Sequence, residues 1–452
     1  MFKRFVHWFV FRLIRLFYSR IEVLGLDRIP RDAPVIFVLN HPNGVLDPVL
    51  LMTALGRQVT FLSKSTLFAY PLSRWASESF GALPIFRTKD IGRRGGAVDE
   101  ADMATRNEAT FARGREILAK GEAMALFPEG TTHSEPRLLK LRTGAARLAL
   151  RAAEEFSWAS GLVVVPIGLW YESKTRFRTP ALLVSGESLR IDDFRESYLS
   201  DPRATARHVT DCLEERLAAV VLQAENRNLL KAIPAVAAWT APNGHAGDLA
   251  ARHAWAATLL SSYEKLKRCN PDRLDFLAGR IRRYATLLRS FGITDPWQLE
   301  ETTLRPRRAV GRGLVLLLLG LPALVGVILS FVPHRLSGTL ARHAKPDKQT
   351  QAGMVKIVGG TILELLTWVI EAAIVGAVFG PWWGFALFCC APLFAYTAVR
   401  WVERWSAFVD LLRVLRFRGP LVGLRYRLEA VRKELARHVM EAVESVREPA
   451  DL

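Results

Sequence analysis

Three apolar stretches in the second half of the chain, Leu314–Val332, Ile357–Phe379 and Trp382–Val399, limit what it can fold into more than any other feature. A run of about twenty apolar residues matches the hydrocarbon core of a bilayer. Pro322 falls near the middle of the first stretch, which predicts a kinked or re-entrant element. Gly380-Pro381 separates the second from the third and predicts a turn between two helices of a hairpin. Basic residues precede the first stretch (Arg305, Arg307, Arg308, Arg312), follow it (Arg335, Arg342, Lys345, Lys348) and continue beyond the third (Arg400, Arg404, Arg413, Arg416, Arg418). A shallow first segment plus one hairpin keeps all of these on the cytoplasmic side, as the positive-inside rule favours. Glu364 and Glu371 share one face of the second stretch, where intramembrane acids either pair with neighbours or serve a function.

The 452 residues carry a formal charge of +18, enough chain for one α/β domain and a large helical appendage, and a charge that calls for an acidic partner. Nucleic acid fits poorly, because no zinc-finger spacing, helix-turn-helix or base-stacking sheet is visible and the basic residues flank apolar and aromatic segments. An anionic bilayer surface fits better, with each basic residue near it contributing about 1 kcal/mol. Met1 to Arg20 reads as an amphipathic interface helix, with Lys3, Arg4, His7, Arg12 and Arg15 on one side and Phe2, Phe5, Phe9, Leu13 and Leu16 on the other. The alternative is a helix packed on its own domain. No small-residue cleavage site marks a secretory signal. Nine scattered histidines and cysteines at 212, 269, 389 and 390 match no metal-ligand spacing, so no metal or cofactor is expected. Free thiols point to a reducing compartment, with Cys389-Cys390 acting as small hydrophobes.

From Ile21-Glu22-Val23-Leu24-Gly25 onward, apolar runs at 35–40, 59–63, 82–87, 123–127, 162–169 and 181–185 alternate with helical patterns, predicting a sheet covered by helices. The divisions read as an interface helix (1–20), the α/β domain (21–220), a helical linker (221–312), membrane-embedded helices (313–400) and a basic, surface-associated helical tail (401–452). Pro234 and Pro242-Asn243-Gly244 are expected to break the linker. Residues 87–104, with Arg93-Arg94-Gly95-Gly96, read as a mobile loop able to order over a substrate.

Four clusters at strand ends carry the chemistry. Asn40-His41-Pro42-Asn43-Gly44-Val45-Leu46-Asp47 places an imidazole and a carboxylate on either side of a tight turn, an arrangement that builds a general base. The bland reading makes Asp47 an ordinary helix cap. Gly81-Ala82-Leu83-Pro84-Ile85-Phe86-Arg87 ends a strand on a guanidinium suited to bidentate phosphate binding. Phe127-Pro128-Glu129-Gly130-Thr131 puts another carboxylate at a strand end, and Lys140 and Arg142 stand just before the helix that opens at Gly144-Ala145-Ala146. Val163-Val164-Val165-Pro166-Ile167-Gly168 is a strand interrupted by proline, near where an extended substrate can lie.

The order of these four blocks, over roughly residues 25 to 215, resembles the glycerolipid acyltransferase family. The resemblance implies an α/β fold with a mixed sheet flanked by helices. It also implies transfer of a fatty acyl group from acyl-CoA or acyl carrier protein to a hydroxyl of lysophosphatidate or glycerol-3-phosphate, at the cytoplasmic (inner) membrane. By the same resemblance His41 is the general base and Asp47 its partner, while Arg87, Glu129, Gly130, Thr131 and Arg142 bind the acceptor. Other lysophospholipids, or lipid binding without catalysis, are the alternatives. Two departures stand out. Five residues separate His41 from Asp47 where the common family spacing is four, similar to the branch of fungal glycerol-3-phosphate and dihydroxyacetone-phosphate acyltransferases, and Arg142 stands where many members have lysine. The resemblance further implies that the acceptor oxygen itself attacks, without an acyl-enzyme, and no Gly-x-Ser-x-Gly elbow is present to suggest a serine nucleophile. His133 has no role in this reading.

Overall fold

The computed structural model of the protein describes residues 2–30, 33–87, 100–174, 176–241, 248–293, 295–299, 306–343, 355–415 and 422–447. Most of the loop expected at 87–104 lies outside the described residues. The first of two compact units runs through Arg227 and the second begins at Asn228.

The first unit opens with α1 (Phe2–Phe17), β1 (Tyr18–Leu24), β2 (Val35–Leu39), α2 (Leu46–Leu55), β3 (Val59–Lys64), α3 (Pro71–Ser79) and β4 (Ala82–Ile85). It continues with α4 (Glu100–Ala119), β5 (Ala123–Leu126), α5 (Gly144–Glu155), β6 (Val163–Tyr171), β7 (Thr179–Ser185), β8 (Leu189–Arg190), α6 (Arg195–Ser200) and α7 (Pro202–Val220). The strands form one mixed sheet in the order β1-β7-β6-β2-β5-β3-β4, with β8 paired to β6. Strands β6, β2, β5, β3 and β4 run parallel, whereas β7 is antiparallel to β6. The six strands expected from the apolar runs are all present. The central ones, β2, β5 and β6, were readable because parallel strands buried on both faces become unbroken apolar runs; every residue of β2 is 0% exposed. One layer of the core joins Ile36, Val38, Met124 and Val164 of the sheet to Leu118 of α4, Ala149 of α5, and Val209 and Leu213 of α7.

Helix α1 packs inward through Ile14 and Phe17 and leaves Phe2, Phe5 and Trp8 exposed beside Lys3, Arg4, Arg12 and Arg15. His7 belongs to the packed face, not to the cationic one. Its Nε2 lies 2.7 Å from the Ser79 carbonyl, Gln58 Nε2 donates to its Nδ1 at 2.8 Å, and its ring stacks on Phe80. It satisfies the carbonyl end of α3, a long-range pairing that no helical wheel shows.

The second unit holds α8 (Arg227–Thr240), α9 (Leu249–Cys269), α10 (Pro271–Ser290), α11 (Pro306–His343), α12 (Gly360–Phe379), α13 (Pro381–Leu415) and α14 (Val422–Glu444). Pro234 lies inside α8 rather than breaking it. Among the described residues, three helices are long and apolar enough to cross a membrane: Val310–Leu340, Lys356–Phe379 and Pro381–Arg413. The first is one uninterrupted helix containing Pro322, and Gly380 forms the expected turn between the second and third. Helix α13 runs antiparallel along α11: Gly313 lies beside Phe408, Trp401 Nε1 donates to the Leu316 carbonyl at 2.9 Å, and Gly326 abuts Phe394. The tail contains a helix, α14, with one packed face. Leu428, Leu435 and Val439 of α14 are buried, and Glu434 and Glu441 pair with Arg280 and Arg273 of α10 at 2.6 and 3.1 Å.

Candidate active site

The carboxyl ends of β2, β4, β5 and β6 lie along one edge of the sheet, where open α/β sheets carry their ligands. Asn40, immediately after β2, extends the pairing with its side chain. Its Oδ1 accepts from Leu169 N at 2.7 Å and its Nδ2 donates to the Leu169 carbonyl at 3.2 Å, which fixes where His41 leaves the sheet.

His41 Nδ1 donates to Asp47 Oδ2 at 2.8 Å. A carboxylate only accepts, so this bond assigns the Nδ1–H tautomer and leaves the lone pair on Nε2. The His41 side chain is 18% exposed while Asp47 is fully buried, so only the imidazole is reachable from outside. The ring stacks on Phe127 with 4.1 Å between centroids, which limits its rotation. Asp47 sits in the first turn of α2, where the helix end favours negative charge, and Val45, not Asp47, is the N-cap. Gly44 adopts φ +61°, the left-handed conformation that accommodates the extra residue of this loop.

Three donors converge on the Asp47 carboxylate. Besides His41, Oδ2 accepts from the Asn43 backbone N–H at 2.9 Å, and Oδ1 accepts from the Tyr171 hydroxyl at 2.6 Å. Burial first, then the charge of Asp47, pushes the Tyr171 phenol well above its ordinary pKa, so it remains a donor. Asn43 Nδ2 donates to the Tyr18 hydroxyl at 3.2 Å, and Tyr18 packs 5.7 Å from the Tyr171 ring. Burial, followed by Asp47, also raises the Tyr18 pKa.

The block after β5 braces this pair. Glu129 is 3% exposed, and its Oε1 accepts from the His41 backbone N–H at 3.1 Å. Its Oε2 accepts from Leu139 N at 2.9 Å and from His133 Nε2. His133 Nδ1 in turn accepts from the Glu135 N–H at 3.1 Å, so Nε2 carries the proton that His133 donates. Gly130, at φ +67°, permits two guanidinium groups to approach. Arg87 Nη1 donates to its carbonyl at 3.0 Å, and a Cβ at 130 would stand 2.8 Å from Arg142 Nε. Arg142 is further anchored by its backbone N–H, which donates to the Pro128 carbonyl at 2.9 Å. Thr131 is half-buried on the same loop, and Lys140 is exposed.

The structure therefore brings His41, Asp47, Glu129, Gly130, Arg87 and Arg142 into one connected cluster. Sequence reasoning missed Tyr171, Asn43 and the bond His133 makes. Tyr171 is identifiable only once β6 is known to lie beside β2, and the proline of the Val-Pro-Ile block drew attention upstream of it. Among the described residues no group of three or more histidine, cysteine or acidic side chains could hold a metal ion.

Residues 20–170 match the family described as Acyltransferase. The chain is 26% identical to an uncharacterized acyltransferase of Schizosaccharomyces pombe, over 92% of this chain and 72% of that protein. It is 28% identical to glycerol-3-phosphate O-acyltransferase 2 of Saccharomyces cerevisiae, over 68% of this chain and 41% of that one. It is 30% identical to a chloroplastic 1-acyl-sn-glycerol-3-phosphate acyltransferase of Arabidopsis thaliana, over 37% of this chain and 42% of that one. The chain thus spans well under half the length of the latter two relatives.

Proposed function

We propose that this chain, whose residues 20–170 are an acyltransferase-family domain, moves a fatty acyl group from a thioester donor, acyl-CoA or acyl carrier protein, to a hydroxyl of glycerol-3-phosphate or lysophosphatidate. The observation that carries the reading is His41: Nδ1 is held 2.8 Å from a buried carboxylate, and the opposite nitrogen is left to act.

In this mechanism Nε2 of His41 takes the proton of the acceptor hydroxyl as its oxygen attacks the thioester carbonyl. Asp47 holds the imidazole in the required tautomer and stabilises the imidazolium. The tetrahedral intermediate collapses with cleavage of the C–S bond, and the imidazolium returns the proton to the departing thiolate, yielding ester and thiol. Arg87 and Arg142, meeting at Gly130, hold the acceptor phosphate and so orient its hydroxyl toward His41. Glu129 acts from behind, fixing the His41 backbone. The apolar helices and the basic, aromatic outer face of α1 support a position of the catalytic unit at the cytoplasmic face of the inner membrane.

Full-length protein in phosphatidylglycerol-containing vesicles, given both donor types and a panel of acceptors, tests this. Acceptor-dependent ester formation that disappears in His41→Ala and Asp47→Ala is expected. Transfer that survives His41→Ala, or fatty-acid release without an acceptor, would overturn it.

A further inference from the structure

We infer that Tyr171 is a positioning residue for the reaction, acting through Asp47. This rests on the acyltransferase reading above and names a side chain just beyond the family match, which ends at residue 170. The Asp47 carboxylate is 0% exposed, so it depends on protein donors rather than on bulk solvent. Oδ2 is shared by His41 Nδ1 and Asn43 N, which leaves Oδ1 to be held separately. The third bond, from the Tyr171 hydroxyl to Oδ1 at 2.6 Å, fixes the carboxylate plane and keeps Oδ2 directed at the imidazole.

Sheet register sets the placement of Tyr171. Leu39, the last residue of β2, pairs with Ile167 of β6 in parallel register, so Tyr171 lies four residues farther along β6, level with the loop that carries His41 and Asp47. Across the sheet Tyr171 pairs with Ala181 of β7, and its ring rests against Tyr18, the first residue of β1. Tyr18 also holds Asn43 by a hydrogen bond. Both tyrosines thus grip the longer histidine-to-aspartate loop, Tyr171 at the carboxylate and Tyr18 at the inserted turn.

Tyr171→Phe in the full-length protein keeps the ring and removes only the donor. The turnover number is expected to fall about 10- to 100-fold, the effect of one hydrogen bond to a charged group, with KM for both substrates little changed. In an Asp47→Asn background the same substitution should cost almost nothing further, since the two residues act as one unit. Installing 3-fluorotyrosine at 171, which restores the hydroxyl, should recover the rate and guards against a folding defect in the phenylalanine variant. If Tyr171→Phe matches the wild type, or multiplies the Asp47→Asn defect in full, the inference fails while the proposed function stands. If the wild type transfers no acyl group, or His41→Ala retains activity, the proposed function fails and this inference with it.

Discussion

Glu129 accepts the backbone N–H of His41 at 3.1 Å, so the block after β5 holds the block after β2 by its peptide and not by its imidazole. The other oxygen of Glu129 is taken by Leu139 N and His133, and all of its partners are donors. An amide at this position must turn its NH2 group toward one of them. Glu129→Gln should therefore lower kcat by about 10-fold or more, leave the acceptor KM within a few-fold, and lower stability by about 1–3 kcal/mol. Initial-rate kinetics and thermal unfolding check it, and a rise in acceptor KM alone would instead put the carboxylate in contact with the acceptor.

Arg87 and Arg142 approach the two sides of Gly130, and a phosphate held between them would be bound by two forked donors. Arg87→Ala should raise the acceptor KM by about 10- to 100-fold, the worth of one charge-assisted bond. Arg87→Lys should recover only part of this, because an ammonium cannot reproduce bidentate geometry. An acceptor lacking the phosphate should be equally poor with either variant and the wild type.

Most of this site was legible from the chain because the His41 and Glu129 blocks each end a buried parallel strand, and such strands announce themselves as apolar runs bounded by turns. The proline and glycine after His41 likewise marked a turn. Tyr171 and Asn43 stayed hidden because their partners are set by which strands are neighbours, and Tyr171 is 124 residues from Asp47 in sequence. The same physics hid the packed side of His7. Helix α14 is basic, as its sequence reads, and the burial of Leu428, Leu435 and Val439, which repeat at helical spacing, was hidden because its partner helix lies far away in sequence. Pro234 misled in the opposite direction, since neighbouring packing carries α8 through it.

His253 on α9 supplies a pH dependence for the second unit. Burial lowers its pKa to about 4 from 6.5, so the folded state resists protonation where the unfolded chain accepts it. Stability from this group is complete above about pH 6.5 and is lost as pH falls through about 4. At about 1.4 kcal/mol per pKa unit, the loss is on the order of 3 kcal/mol. Hydrogen exchange of α9 amides, corrected for intrinsic rates, should show protection falling across that window in the wild type, and His253→Leu should flatten the dependence.

Helices α10 and α14 are joined by Arg273–Glu441 at 3.1 Å and Arg280–Glu434 at 2.6 Å, although all three membrane-length helices lie between them in sequence. If these pairs sit in water on one side of a bilayer, the chain crosses an even number of times between residues 290 and 422, so not all three membrane-length helices are crossings. The contacts of α11 with α13 through Leu316, Trp401, Gly326 and Phe394 are those of two helices running in opposite directions, as a pair of opposed crossings would. Cys269, exposed at the end of α9, serves as a native reporter for the first side. In sealed vesicles of one orientation, with Cys212, Cys389 and Cys390 replaced by serine, a membrane-impermeant maleimide should label Cys269 and an introduced Arg437→Cys from the same side. Labelling from opposite sides would require an odd number of crossings, and would show that α14 cannot pack on α10 in the membrane.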